Sequence, residues 1–194
     1  MWQTTHGRSP ETWIGVEETF DIWRPEGPIG MKPTVYLDAT IPSFYYEDRP
    51  GVIIRAWHEL TVEFWDQARD GYDLFVSDET IRELQDPGYP EEKRDKCLTL
   101  VKDLPRLAMT PEVWDLASYY VREKAMPSDD LGDAFHLAFA TWYRIQYLVT
   151  WNCKHLANAN KTDHIRRVNA LLGLETPLLV TPLELLEKND ENET

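Results

Sequence analysis

Four short β-rich runs punctuate the chain, and each stops at a residue able to carry chemistry or to start a helix. Thr34-Val35-Tyr36-Leu37 meets Asp38, Tyr72 to Ser77 opens onto Asp78-Glu79, Tyr147-Leu148-Val149-Thr150 meets Trp151-Asn152, and Leu178-Leu179-Val180 meets Thr181-Pro182. Between them the apolar residues recur at three- and four-residue spacing, as on amphipathic helices. Strands that alternate with helices need crossover connections, so the pattern predicts an α/β fold: a three-layer α/β/α body on a mostly parallel sheet of four to five strands. In such folds ligands gather beyond the carboxyl ends of the strands.

The helical segments are legible one by one. Ile53, Trp57, Leu60, Phe64 and Ala68 outline one helix that ends near Gly71, and Asp78 to Leu84 a short one stopped by Pro87-Gly88. A charged stretch from Glu91 to Leu104 keeps the helical period, and Leu107-Ala108-Met109 reads as one more short strand. Thr110-Pro111-Glu112 supplies an N-cap, a first-turn proline and an early acid for a helix reaching about Lys124. Ala134, Leu137, Ala138 and Thr141 form a small-residue face suited to close packing on the sheet, with Asp133 in that helix's first turn. Thr162 to Leu172, closed by Gly173, is the next helix, and Thr181-Pro182 starts the last.

Composition sets the boundaries. At 194 residues, 42% of them hydrophobic, the chain is long enough for one core and short for two. Residues 1–30, rich in Pro and Gly and without a sustained period, read as a poorly ordered extension, residues 31–187 as the domain, and residues 188–194 as an acidic tail. The two cysteines, Cys97 and Cys153, have no metal or redox spacing, and no run matches a signal peptide or a membrane span, so a cytoplasmic protein is expected. A net charge of −14 excludes a broad basic coat for nucleic acid. It is compatible with a nuclease, whose clustered acids are offset by bound cations.

Asp38, Glu83 and Asp133 are the acids that follow strand ends or open a buried helix, and Asn152 is the amide that joins them. Singly, each has an ordinary reading: a turn cap, a solvated helix acid, a complement to the helix dipole, a tight turn. Jointly they offer oxygen ligands of the kind Mg2+ takes, a few carboxylates with the rest of the shell left to water and phosphate. Asp129 and Asp130 can supplement them, although helix capping explains both. Thr40 and Thr150 can support the acids by hydrogen bonding, and His136 reads as an ordinary core histidine. The segment after Asn152 is locally basic, so Lys154, His155, Lys161, Arg166 and Arg167 are candidates for contact with a polyanion.

Tyr36-Leu37-Asp38-Ala39-Thr40, Ser77 to Leu84, Gly132 to Ala138 and Thr150 to Leu156 follow one another in the order of a known family. Over roughly residues 34–186 the chain resembles PIN-domain endoribonucleases of the VapC type, the toxins of prokaryotic toxin–antitoxin pairs. The resemblance implies a parallel sheet flanked by helices, Asp38, Glu83 and Asp133 as metal-site acids with Asn152 at the fourth position, Mg2+ or Mn2+ as cofactor, RNA as substrate, a homodimer, and a small antitoxin protein. Many relatives carry aspartate where Asn152 stands, so a weakly active or inactive module that binds protein or RNA is the alternative. A phosphoaspartate phosphatase is disfavoured by Asp38-Ala39-Thr40, which lacks the second acid of an Asp-x-Asp motif.

Overall fold

The computed structural model describes residues 32–128 and 131–186. The expectations for residues 1–30 and 188–194, and for Asp129 and Asp130, lie outside them. Among the described residues no helix is long and apolar enough to cross a membrane.

Five strands of the described residues, β1 (Thr34–Leu37), β2 (Asp73–Ser77), β3 (Arg106–Leu107), β4 (Tyr147–Val149) and β5 (Leu178–Val180), pair in the order β3-β2-β1-β4-β5, every neighbour parallel. The expected α/β sheet is therefore present and wholly parallel. β1 lies at its centre, where the strand order reverses: the chain builds outward to β3 on one side, then crosses to β4 and β5 on the other. Adjacent connections leave that point in opposite directions, the topology at which ligands gather beyond the carboxyl ends of the strands in α/β folds.

Among the described residues eight helices accompany the sheet: α1 (Thr40–Tyr45), α2 (Val52–Gly71), α3 (Asp78–Leu84), α4 (Glu91–Val101), α5 (Pro111–Arg122), α6 (Leu131–Trp142), α7 (Ala159–Leu171) and α8 (Pro182–Leu185). The side chains of β1 alternate between two cores. Val35 and Leu37 join Phe64, Trp65 and Ala68 of α2 and Cys97 and Val101 of α4. Tyr36 faces the other way, into Val113, Leu116 and Tyr120 of α5, Leu137 and Phe139 of α6, and Ile165 and Val168 of α7. Helices thus cover both faces of the sheet in three layers. Every residue of α6 from Gly132 to Thr141 is buried, so the small-residue face expected there is part of a helix enclosed on all sides.

Several local expectations shift. The turn that Asp38 was expected to cap, Thr40-Ile41-Pro42, is the first turn of α1, where a proline costs nothing because its missing N–H would have no helical partner. The third strand of the sequence reading, 107–109, is Arg106–Leu107, because pairing with Val76 and Ser77 fixes the register. α7 begins three residues before Thr162, capped by the side chain of Asn158 on the N–H of Asn160. Ile53 of the α2 stripe is 67% exposed, and the buried face of that helix starts further along.

One acid outside the proposed site anchors the layer carrying α1 and α4. The buried Glu47 carboxylate accepts from Arg49 Nε and Nη2, each at 2.8 Å, and from Lys93 Nζ of α4 at 3.0 Å. The Arg49 hydrogen bonds outweigh burial, and with Lys93 they hold its pKa down to about 2. A depressed carboxyl contributes stability that is present above the unfolded pKa and lost as pH falls toward the folded one. Glu47→Gln should therefore cost about 2 kcal/mol at neutral pH, discounted because Arg49 is largely exposed, and should flatten the stability profile between about pH 4.5 and 2. Urea unfolding across that range measures it, and parallel profiles for the two proteins would refute it.

Candidate active site at the carboxyl edge of the sheet

Asp38 directly follows β1, where the strand order reverses. It is 2% exposed, and each oxygen of its carboxylate accepts a short hydrogen bond, from the Thr40 hydroxyl on one side and the Thr150 hydroxyl on the other. The backbone N–H of Thr40 adds a third, at 2.9 Å. The pairing of β1 with β4 dictates this seat: Leu37 lies opposite Val149, and the Asp38 N–H donates to the Val149 carbonyl at 3.3 Å, so Thr150 emerges beside Asp38. Burial pushes the Asp38 carboxyl above its usual range. The charge of His136 and the two threonine hydroxyls pull against that, and the nearby Glu83 adds to it.

The threonines also hold the β4 turn. Thr40 Oγ1 accepts from the Trp151 N–H at 2.9 Å, and Thr150 Oγ1 from the Asn152 N–H at 2.8 Å. The Trp151 side chain locks the same turn from beneath. It stacks on Trp57 of α2 with ring centroids 4.9 Å apart, and its indole N–H donates to Thr61 Oγ1 at 2.7 Å. Asn152 is thereby presented to α6, where its Nδ2 donates to Asp133 Oδ1 at 2.7 Å, while its Oδ1 accepts from the His155 N–H at 3.1 Å. The expected acids Asp38 and Asp133 are thus joined through Thr150 and Asn152.

Glu83 reaches the cluster along a second route. Its Oε2 lies 3.1 Å from Nε2 of His136, one turn beyond Asp133 on α6, and Nδ1 of the same imidazole lies 2.6 Å from the Tyr36 hydroxyl. Burial raises the Glu83 pKa, but the charge of His136 and the hydrogen bond from it, with help from Arg82, outweigh burial and hold it below the usual range. His136 is buried yet is pushed well above the ordinary imidazole value, because Tyr36, Glu83 and Asp38 outweigh the desolvation. His136 and Tyr36 are the residues at this edge that sequence reading does not bring to the candidate site. The available signal was the placement of His136 three residues after Asp133, which puts both on one helix face.

The basic candidates divide. His155 and Lys161 stand together beside the Asn152 turn, with Lys161 Nζ 3.1 Å from His155 Nδ1, and Lys154 is exposed on the same turn. Arg166 and Arg167 lie further along α7 and face solvent, Arg166 within 3.7 Å of Asp163.

The donor set is all oxygen from the acids, as a hard divalent cation requires, and each carboxylate retains lone pairs beyond those engaged in the hydrogen bonds described. Among the described residues, no three His, Cys, Asp or Glu side chains already converge as ligands of one ion. Comparison with models of known families and with curated proteins gives no match to this chain.

Proposed function

We propose that the protein is a metal-dependent endoribonuclease that hydrolyses RNA phosphodiester bonds, acting as the toxin of a toxin–antitoxin pair. The observation that carries this reading is that Asp38, Asp133 and Asn152, from separate segments, are linked by hydrogen bonds at the switch point of a parallel sheet, with Glu83 tied to the same helix as Asp133 through His136. RNA as substrate, a homodimer and a small antitoxin partner come from the resemblance to PIN-domain endoribonucleases.

In this reading Asp38, Glu83 and Asp133 would hold Mg2+ or Mn2+, which would supply activation of water and an offset for charge at the scissile phosphate. Thr40 and Thr150 fix the Asp38 carboxylate, Asn152 fixes Asp133, and neither acid has to reorganise its seat when substrate arrives. Lys154, His155 and Lys161 border the acids and meet the RNA backbone, while Arg166 and Arg167 extend the basic track along α7. Hydrolysis leaves a 5′-phosphate and a free 3′-hydroxyl. The test is incubation of the full chain with total RNA and Mn2+. The expected result is cleavage abolished by EDTA and restored by Mn2+, with 5′-phosphate ends. Intact RNA at every Mn2+ concentration tried would overturn the assignment.

One observation favours a second reading, a module that mainly binds a protein or RNA. Both ends of the Asn152 amide are committed within the protein, one to Asp133 and one to the His155 N–H. Asn152→Asp separates the two. It replaces the donor facing Asp133 with a second carboxylate, so the metal-free variant should melt several degrees lower, and Mn2+ should bind about tenfold more tightly as it offsets the added charge. Equal Mn2+ affinity in variant and wild type, read by calorimetry, would favour the binding module.

A further inference from the structure

We infer that His136 is a positioning residue for the site: it holds the Glu83 carboxylate in place through a hydrogen-bond chain anchored at the start of α3. This inference rests on the nuclease reading of the same site. Glu83 needs such a hold more than its partners do. Asp38 and Asp133 are short and buried, whereas Glu83 has a longer side chain that is 30% exposed and sits near the end of a short helix. Left to itself it would sample several rotamers.

The chain runs back from the imidazole to the start of α3. Ser77 is the N-cap of α3, and its hydroxyl oxygen accepts from the N–H groups of Glu79 and Thr80 at 3.1 and 3.2 Å. Its own proton is therefore available to the Tyr36 hydroxyl, 2.6 Å away. Thr80, 3.2 Å from the same phenol, gives its proton to the Leu37 carbonyl. Nδ1 of His136 is engaged by the Tyr36 hydroxyl at 2.6 Å, which leaves Nε2 to donate to Glu83 Oε2 at 3.1 Å. Ser77, Thr80, Tyr36 and His136 are all buried, so no water competes along the chain. The arrangement places Oε2 against the imidazole, while Oε1 lies 3.9 Å from Arg82 Nη2, beyond hydrogen-bond distance. Hydrogen bonds of this kind behind a liganding group govern its orientation, and losing them costs about 10- to 100-fold in affinity.

The test uses the full chain with Mn2+ as probe, titrated by calorimetry in parallel with RNA cleavage, for wild type, His136→Leu, His136→Gln and Tyr36→Phe. The glutamine amide reaches the position of Nε2 and can donate to Glu83, whereas leucine preserves bulk alone. Expected are Mn2+ binding weakened about tenfold or more in His136→Leu, recovery of most of that loss in His136→Gln, and an intermediate loss in Tyr36→Phe. If His136→Leu unfolds, the glutamine and phenylalanine variants still decide. Wild-type affinity in Tyr36→Phe and His136→Leu, or equal losses with leucine and glutamine, would overturn the positioning role while leaving the nuclease reading intact. Wild-type protein that neither binds Mn2+ nor cuts RNA would instead bring down the nuclease reading, and this inference with it.

Discussion

Asp38→Asn and Asp133→Asn should each abolish metal-dependent RNA cleavage, on the order of a thousandfold or more, while leaving a folded protein. The loss follows from removing one anionic ligand and about 4 kcal/mol of transition-state stabilisation. For Asp38 the stability expectation is sharper. Its carboxylate is buried between two threonine hydroxyls, and burial raises its pKa, so at neutral pH its charge opposes folding when no cation is present. The sign follows from linkage: a carboxyl whose folded pKa lies above its unfolded value loses stability as pH rises between the two, and that deficit persists at pH 7. Asparagine removes the charge, and because hydroxyls rotate, one threonine can accept from the new amide. Asp38→Asn in EDTA should therefore melt no lower than wild type and lose the stabilisation that Mn2+ gives wild type. Retained cleavage, or unfolding of the variant in EDTA, would sink the assignment of Asp38.

Trp151→Ala should be the most damaging change to the scaffold, at about 3–5 kcal/mol. Trp151 is 6% exposed, stacks on Trp57, meets Phe44 at a ring separation of 6.2 Å and donates to Thr61. Truncation leaves a large cavity between β4 and α2 just beneath the Asn152 turn. Against a total of about 5–15 kcal/mol for a domain, the loss is severe. Trp151→Phe, which keeps a ring for stacking and forfeits the indole donor, should cost about 1–2 kcal/mol. Urea denaturation gives both values. A loss under about 1 kcal/mol in Trp151→Ala would mean that the turn is held by its backbone bonds alone.

The parallel sheet was legible in the sequence because its strands are short apolar runs bounded by polar turns, and the period changes between them. Asp38 and Asn152 could be placed at strand ends for the same reason. The sequence was silent on what those residues touch. His136 looked like any histidine on a packed helix, since its partner Glu83 lies 53 residues away and becomes a neighbour only when α3 lies against α6. Trp151 was a large apolar residue next to an interesting one, and nothing local showed that Trp57 and Thr61 receive it. α1 was hidden by Pro42, which reads as a breaker unless it falls in a first turn. The strand at Arg106–Leu107 was displaced because two-residue strands have no period, and their register comes from the neighbour.

The seat of Asp38 is completed by Thr150, 112 residues further along the chain. A growing polypeptide that ends before β4 contains all three acids but lacks the hydroxyl, the turn and the amide that hold Asp38 and Asp133. Closing that long loop also makes the pairing of β1 with β4 one of the slower steps of folding. The order of synthesis thus sets the order of assembly: the seat of Asp38 is complete only once β4 has been made and paired.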